Sequence, residues 1–223
     1  MAALDDVLSQ PTGARFYRAD LHIHSFGGSH EVKDAAMTPD GIVSTAAHER
    51  LSIIAITDHN EINDPERVIQ ASQGAPVLVI PGIELSTPEG HLLCYLPSTD
   101  ALRRLHARLE FADRGKETSR CKHSLLDCLN VVQSLGGFGV LAHVDIPSGF
   151  ETDNPGGSPH KADVLCHPTL LGIELKHATS PISYADGDPD AERARMGRER
   201  IKRLKLGSKQ SLARVLGFRR ACA

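Results

Sequence analysis

Short apolar runs alternate along the chain with longer segments whose apolar residues recur at helical spacing. Leu51–Thr57 is continuous, apolar and rich in β-branched residues, which predicts a strand buried on both faces of a parallel sheet. Thr38-Pro39-Asp40 predicts a helix start with proline in the first turn. The whole pattern predicts strands at Phe16–His24, Leu51–Thr57, Pro76–Ile80, His91–Leu96, Phe138–His143 and Leu171–Leu175, and helices at about Thr38–Arg50, Asp64–Ser72, Ala101–Asp113, Cys121–Leu135 and Asp188–Leu206.

Strand and helix alternate throughout, with no internal repeat and no second composition regime. Such alternation is typical of parallel βαβ units, so we expect an α/β domain built as a closed or nearly closed barrel. Residues 1–15 have mixed polarity and a turn-like Gln10-Pro11-Thr12-Gly13, and we interpret them as a leader before a single domain at 16–223. Pro147–Pro159 is dense in Gly, Pro, Ser and Asp, which predicts a long loop.

The composition is that of an ordinary globular domain, with 223 residues of which 40% are hydrophobic and 24% charged. A formal charge of −3 and a pI near 6.4 disfavour a large non-specific nucleic-acid surface. The local exception is Arg193–Arg220, which is rich in Arg and Lys. We interpret it as a solvated helix face, with nucleic-acid contact as the alternative.

The cysteines and the N-terminal sequence bear on the compartment. Five cysteines, an odd number without a CxxC pair, indicate reduced thiols rather than a disulfide framework. The sequence has no charged-then-apolar signal segment, and no apolar stretch reaches the length of a membrane span. We therefore expect a cytoplasmic protein without membrane contact.

The segment Asp20-Leu21-His22-Ile23-His24 carries the first candidate chemistry. Alternate residues of a strand share a face, so His22 and His24 would lie side by side as metal ligands do. In isolation, this pattern could equally be a strand with two solvent-facing polar residues. Three more apolar runs end in metal-competent side chains, at His59, Glu84 and His143, and the carboxyl ends of barrel strands meet at one mouth. The pattern therefore predicts a metal site there.

Two more histidines can reach the same mouth: His30, in the loop after the first strand, and His91, at the start of the strand after Glu84. Imidazoles with a carboxylate suit Zn²⁺, Mn²⁺ or Fe²⁺ better than Ca²⁺ or Mg²⁺. The ligand count exceeds that of one zinc ion, so more than one metal is expected. Two such ions can share a hydroxide that attacks a phosphate, with Glu84 as the bridging ligand. Asp58 is either a ligand or an outer acceptor that fixes an imidazole tautomer.

Five ordered segments between about residues 17 and 145 resemble motifs of the PHP (polymerase and histidinol phosphatase) family. These segments are Asp20–Ser25, Ala55–Asn60, Ile80–Glu84, Gly90–Leu93 and Leu141–His143, with a weaker echo at Gly172–Leu175.

The resemblance implies a distorted (β/α)7 TIM-like barrel that hydrolyses phosphoesters with two or three divalent ions of Zn, Mn or Fe. It implies core metal ligands at His22, His24, Glu84 and His143, further histidine positions at His30, His59 and His91, and catalytic roles for Glu84, Asp58 and His59. The layout also resembles the N-terminal PHP module of ATPase-linked proteins, although the sequence contains no Gly-x-x-x-x-Gly-Lys phosphate loop.

The C-terminal segment departs from the family pattern. Family members usually carry an Asp-x-His motif on the last strand, and this sequence has none after His177. One reverse translation of Gly217–Ala223, shifted by one base, reads Asp-Ser-Asp-Ala-His-Ala. We therefore expect a barrel that is incomplete at its C-terminus because of a frameshift or a sequencing error, and sequencing the gene would decide this.

Three functions remain open from the sequence. The leading one is a phosphoesterase acting on a phosphomonoester, a nucleotide or a nucleic-acid end by hydroxide attack, without a covalent protein intermediate. The alternatives are a truncated or degenerate PHP domain with a structural or regulatory role, and a metal-dependent amidohydrolase, which also carries His-x-His on its first barrel strand. The absence of a bridging lysine position, together with Thr57-Asp58-His59 and Gly82-Ile83-Glu84, favours the phosphoesterase.

Overall fold

The structure is a computed structural model that describes residues 17–62, 65–207 and 212–216. The expected leader at 1–15 and the frameshift interpretation of 217–223 lie outside these residues. The helices are α1 (Pro39–His48), α2 (Pro65–Ala71), α3 (Thr99–Arg108), α4 (Leu125–Ser134), α5 (Phe150–Asp153), α6 (Pro159–Leu165) and α7 (Ala191–Leu204). The strands are β1 (Ala19–Ile23), β2 (Ile53–Ile56), β3 (Leu78–Thr87), β4 (Gly90–Tyr95), β5 (Phe111–Ala112), β6 (Arg120–Cys121), β7 (Phe138–Leu141), β8 (Leu170–Leu175) and β9 (Ala213–Leu216).

A curled sheet contains most of the strands, in the order β1-β2-β3-β4-β7-β8-β9. The pairs β1–β2, β2–β3, β7–β8 and β8–β9 are parallel, as expected. The expectation of parallel units throughout is wrong at β4, which runs antiparallel to both β3 and β7. The connection between β3 and β4 is only Pro88–Glu89, and so short a turn can join only an antiparallel pair. Across the described residues the sheet is therefore an incomplete TIM-like barrel with one reversed strand.

The β3–β4 turn is tighter than the sequence suggested. The sequence predicted strands at Pro76–Ile80 and His91–Leu96 with ten residues between them, but β3 continues through Thr87. Gly90 has φ +124°, and a Cβ atom there would approach the backbone nitrogen of Phe150 to 3.0 Å. Glycine is needed at this position because other residues rarely adopt such a φ and have no room for a side chain.

Short elements interrupt two segments for which the sequence suggested a simpler structure. The predicted loop Pro147–Pro159 contains α5, whose Phe150 is fully buried, and it leads directly into α6. The predicted helix Ala101–Asp113 stops at Arg108, because β5 pairs with β6 in a separate hairpin. Cys121 therefore begins no helix but lies in a strand of that hairpin. Helical periodicity does not reveal such two-residue pairings.

The strands bury apolar side chains on both faces. Outward-facing residues of β3, β4, β7 and β8 pack against α3, α4, α6 and α7, and a second cluster lies under α1 and α2. A smaller cluster inside the barrel contains Ala55, Leu93, Tyr95, Val140 and Ala142. Since alternate residues of a strand share a face, His91 points to the same side of β4 as Leu93 and Tyr95. Apolar side chains thus fill the floor of the barrel below the polar ones.

Helix α7 carries most of the local basic charge noted in the sequence, and its arginines are bound within the protein. The guanidinium of Arg193 lies 2.9 Å from Asp188, and those of Arg195, Arg198 and Arg203 lie within salt-bridge distance of neighbouring carboxylates. Arg200 is 4% exposed and donates to the carbonyls of Leu165, His167 and Leu170, between the end of α6 and the start of β8. The surface arginines of α7 are therefore paired with carboxylates, whereas Arg200 is buried against backbone carbonyl groups.

In the part of the chain that the structure describes, no helix combines the length and apolar character needed to cross a membrane.

We expect Arg200→Met to destabilise the fold by about 2–4 kcal/mol, because it removes the buried guanidinium that donates to three backbone carbonyl groups. Urea unfolding followed by circular dichroism measures the change. Arg198→Met is the matched control, since Arg198 is exposed and contacts only Asp186 among the described residues. Equal stability of the two variants would contradict this role for Arg200.

Candidate metal centre

The side chain of Glu84 is fully buried near the middle of β3 and lies at the centre of the candidate site. Both of its carboxylate oxygens face ring nitrogens of histidines that come from other segments of the chain. Oε2 lies 2.7 Å from His22 Nε2, 3.2 Å from His24 Nε2 and 3.6 Å from His59 Nδ1, and Oε1 lies 2.7 Å from His91 Nδ1 and 3.1 Å from His143 Nε2. Five imidazoles thus converge on one carboxylate.

Backbone contacts fix several of these ligands. An isolated parallel bridge joins His59 to Glu84, where the Glu84 N–H donates to the Asp58 carbonyl and the Asn60 N–H donates to the Glu84 carbonyl. His143 follows β7 with φ +29°, a conformation uncommon outside glycine. Its N–H donates to Glu174 Oε2 at 3.1 Å. The strand ends therefore hold the imidazoles in place through main-chain atoms as well as side chains.

The number of N–H groups that the His22 ring needs in order to face its two carboxylate neighbours indicates whether the site suits a metal. His22 Nδ1 lies 2.9 Å from Glu174 Oε2 while Nε2 lies 2.7 Å from Glu84 Oε2, so each ring nitrogen faces a carboxylate. A neutral imidazole carries only one N–H and would turn a lone pair towards one of these anions. Either His22 is an imidazolium, or a cation lies at its Nε2.

The pKa values follow from the same contacts. Burial by itself would lower the pKa of His22, but the charge of Glu84 and the hydrogen bonds of Glu174 and Glu84 outweigh it and raise the pKa to about 10. Burial would raise the pKa of Glu84, yet His22 and the surrounding imidazoles hold it well below its usual value. At His91, burial dominates and lowers the pKa, which favours the neutral form that binds metal.

The ligand atoms form overlapping groups that could each hold a metal ion. Within each group the atoms lie within 4.8 Å of one another. The groups are His22, His24 and Glu84; His24, Glu31 and His59; and His59, Glu84 and His91. Imidazole nitrogen with carboxylate oxygen is the donor set of Zn²⁺, Mn²⁺ and Fe²⁺ sites. Because the groups share members, the residues present fit a cluster of ions better than one isolated ion.

The structure brings together six of the predicted ligands and leaves His30 apart. His22, His24, His59, Glu84, His91 and His143 all contact one another or Glu84. His30 is exposed, and its Nε2 lies 2.9 Å from the Gly115 carbonyl oxygen. It belongs to none of the three ligand groups found among the described residues, although it lines the adjacent cavity.

Asp58 lies behind the centre. Its buried carboxylate accepts from Ser25 N at 2.7 Å, Ser25 Oγ at 2.6 Å and Ser29 Oγ at 2.9 Å. Ser29 Oγ also lies 3.1 Å from His24 Nδ1 and accepts the His59 N–H. Of the two roles that the sequence left open, this position is that of an outer acceptor connected to two ligands through Ser29. A catalytic role for Asp58 stays a prediction.

The PHP domain family matches residues 20–158, more than half of the chain. The chain belongs to the PHP family. Error-prone DNA polymerase of Mycobacterium tuberculosis is 31% identical over 111 residues, which span 45% of this chain and 10% of the polymerase.

Solved structures show the same PHP fold. Endonuclease Q of Pyrococcus furiosus superposes with a TM-score of 0.58 at 17% identity, over 74% of this chain and 44% of that one. A complex of endonuclease Q with a 27-mer duplex carrying an abasic lesion gives the same TM-score. A two-domain protein of Bacteroides vulgatus with a predicted PHP-like metal-dependent phosphoesterase gives 0.52 at 18% identity, over 71% of this chain and 43% of that one. The chain spans less than half of each of these proteins.

Two acidic residues of this PHP domain were missed by sequence reasoning. Glu31 faces His24 and His59 at 3.4 Å and 3.8 Å. Its only signal was its place beside His30 in a loop with no regular pattern. Glu174 had a clearer signal, because it is a carboxylate in the otherwise apolar segment Gly172–Leu175. Only the curl of the sheet brings it against His22.

We expect Glu174→Gln to weaken Zn²⁺ or Mn²⁺ binding by about 10–100-fold, because acceptors that orient a ligating histidine have effects of this size. Glutamine keeps the shape of the side chain but removes its charge. Calorimetric titration of the metal-stripped protein measures the affinity, with Glu66→Gln as the control, because Glu66 is exposed and contacts Arg103. Unchanged affinity in Glu174→Gln would show that this carboxylate does not support His22.

We also expect metal binding at pH 7 to release protons, because His22 must give up its Nε2 proton and its pKa in the metal-free protein is about 10. Below that pKa the proton competes with the metal, so affinity rises with pH, by about tenfold per unit for each proton released. Calorimetry at pH 6, 7 and 8 in buffers of different ionisation enthalpy counts the protons. A binding enthalpy independent of buffer would contradict the assignment, and His22→Asn should release fewer protons than the wild type.

Proposed function

We propose that this PHP domain is a metal-dependent phosphoesterase that hydrolyses a phosphomonoester, a nucleotide or a nucleic-acid end. The observation that carries the proposal is the convergence of five imidazoles on buried Glu84 beside an open cavity of about 250 Å³. The cavity is lined by His59 and His91 together with the cationic residues Lys116 and Arg120. The carboxylates of Glu31, Glu61 and Glu117 line the cavity as well, so bound metal ions together with these two cations would be what suits it to an anionic phosphate.

Two or three ions of Zn, Mn or Fe would be held by the three overlapping groups, with His24, His59 and Glu84 each belonging to two of them. Bound there, they would supply a water molecule of lowered pKa and neutralise charge on the phosphate oxygens. The chain's own contribution is to fix ligand orientation. Glu174 holds the Nδ1 side of His22, and Asp58 acts on His24 through the hydroxyl of Ser29.

A nucleic-acid or nucleotide substrate has further support from the relatives. Endonuclease Q has been solved with duplex DNA at its active site, and the curated relatives are DNA polymerases. This PHP domain shares its fold with endonuclease Q and part of its sequence with the polymerases. These likenesses favour a phosphate carried by a nucleotide over one carried by an unrelated small molecule.

We place the activity in the cytoplasm. Cys94, Cys121, Cys128 and Cys166 are buried and free, and Cys121 and Cys128 keep their sulfurs 3.8 Å apart without a bond. Neighbouring unbonded thiols support a reducing compartment.

Replacing Glu84 tests the proposed function. We expect Glu84→Ala to lower metal content and to reduce hydrolysis of p-nitrophenyl phosphate, nucleotides and short oligonucleotides by more than about 100-fold, since even outer partners of metal ligands account for about 10–100-fold. Elemental analysis and phosphate-release assays give the two readouts. Glu84→Gln, with the same shape, separates loss of charge from misfolding, and exposed Glu110→Ala is the matched control. Full activity in Glu84→Ala would contradict the site, and wild-type protein without bound metal would favour a structural or regulatory domain.

A further inference from the structure

Asn60 directly follows the candidate ligand His59, and the backbone turns away from β3 at this residue. Asn60 is fully buried and has φ +54°, in the left-handed region. Its N–H donates to the Glu84 carbonyl at 2.8 Å, while its own carbonyl lies 3.1 Å from Nε2 of His106 on α3. Asparagine is one of the few residue types besides glycine that adopt this conformation readily. The chain can therefore leave β3 immediately after a bond that links it to Glu84.

The side chain of Asn60 continues the parallel ladder that its backbone leaves. Bonds in a parallel ladder are evenly spaced, so after donating to the Glu84 carbonyl the strand would next accept from the N–H of Ser86. The main-chain carbonyl of Asn60 is turned to His106, and its side-chain Oδ1 accepts the Ser86 N–H instead, at 2.9 Å. Because a buried N–H without an acceptor is costly, the amide replaces the missing main-chain partner.

Ser86 connects this amide to the metal centre. It lies two residues after Glu84 on β3, and its Oγ is 3.3 Å from His59 Nδ1. Across the β3–β4 ladder it is opposite His91. These three neighbours, His59, Glu84 and His91, make up one of the three groups of ligand atoms. A shift of Ser86 away from Asn60 would therefore disturb the geometry of that whole group.

The other end of the amide reaches the β5–β6 hairpin. Asn60 Nδ2 donates at 3.0 Å to the carbonyl of Ser119, the residue before β6, and the Arg120 guanidinium donates to the same carbonyl at 2.8 Å. Ser119 is 5% exposed, so its carbonyl depends on donors from the protein. Ser119 and Arg120 line the same cavity as His59. One amide thus links the wall of the cavity to the ligands.

We infer that Asn60 is a positioning residue of the metal centre, whose side-chain amide holds Ser86 against the ligands and joins them to Ser119 of the hairpin. The inference rests on the metal centre of the proposed function and concerns how its ligands are held. Three requirements meet at this position: a left-handed backbone, an acceptor for Ser86 and a donor for Ser119. Glycine meets only the first, and an ionised aspartate lacks the donor. Asparagine meets all of them.

Asn60→Gly tests the amide separately from the backbone. Glycine adopts φ +54° without strain but removes both side-chain hydrogen bonds. We expect the affinity of the metal-stripped protein for Zn²⁺ or Mn²⁺ to fall about tenfold, the lower end of the effect of groups that orient metal ligands. Calorimetric titration measures the affinity. If the left-handed backbone were the only reason for asparagine, Asn60→Gly would bind metal as the wild type does, and that result would overturn the inference.

A destabilised variant separates positioning from a general loss of stability. Arg200→Met loses buried hydrogen bonds to three backbone carbonyls between the end of α6 and the start of β8. At a temperature where it is folded, we expect it to bind metal as the wild type does. An equal loss of affinity in Arg200→Met and Asn60→Gly would overturn the inference, because reduced stability alone would then account for both.

Hydrogen exchange of single amides in the metal-free protein distinguishes the two ends of the Asn60 side chain. The Ser86 N–H donates to Asn60, and the Lys122 N–H donates to the Glu110 carbonyl within the hairpin, at 2.9 Å. Asn60→Gly should speed exchange at both amides. Asn60→Asp keeps the acceptor for Ser86 but turns a carboxylate oxygen to the Ser119 carbonyl, so it should speed exchange only at Lys122.

Asn60→Asp should also retain more of the metal affinity than Asn60→Gly, because it keeps the bond that holds Ser86. Unchanged exchange at Ser86 in a folded Asn60→Gly protein would overturn the role of the amide. Unchanged exchange at Lys122 in both variants would overturn its link to the hairpin.

The same variants separate this inference from the proposed function. A wild type that binds no divalent ion would overturn both. Metal binding of equal strength in the wild type and in Asn60→Gly would overturn this inference alone. Metal binding that depends on Asn60, in a wild type that hydrolyses neither p-nitrophenyl phosphate nor nucleotides nor oligonucleotides, would support this inference and count against the proposed function.

Discussion

The contact between the buried Glu84 carboxylate and the imidazoles around it is the constraint on which the rest of the structure depends. A carboxylate at 0% exposure is costly unless positive charge or hydrogen-bond donors offset the lost water. Here the offset comes from β1, from the loop after β2, from β4 and from the loop after β7. The segments that close the barrel floor are therefore the same segments that supply ligands. Folding, protonation and metal occupancy must be coupled in such a centre.

Because β4 runs antiparallel to β3, the candidate ligands Glu84 and His91 lie next to each other although only a short turn joins their strands. In the β3–β4 ladder Ser86 is opposite His91, and Glu84 is opposite Leu93. Glu84 and His91 are consequently diagonal neighbours on one face of an antiparallel pair, which is the arrangement that lets long side chains touch. A parallel crossover would have separated them by a helix. The tight turn at Gly90 thus helps to form the candidate metal centre.

The predictions that depend only on local sequence pattern agree with the structure. The alternation of His22 and His24 with apolar residues, and the apolar run that ends at Thr57, placed their strands to within a few residues. The direction of β4 could not be predicted in this way, because the same alternation serves parallel and antiparallel strands. Glu174 was unassigned for a similar reason: strand periodicity gives its face, while its contact with His22 is made across 152 positions of sequence. Asp58 sits beside His59 in sequence yet acts through Ser29, so adjacency was a poor guide to contact.

The arginines of this protein show why composition alone does not indicate which cations are available to a ligand. Helix α7 has the densest run of arginines, and each of them in the described helix is bound to a carboxylate or a carbonyl group of the protein itself. Their charge stabilises the packing of α7 on α6 and on the loop that contains Asp188. Arg120 lies on a two-residue strand that the sequence pattern did not reveal, where Asn60 donates to the carbonyl of the preceding Ser119, and it lines the cavity that also contains His59 and His91. The number of internal acceptors near a cation, rather than the number of cations in a segment, decides which side chain can meet a substrate.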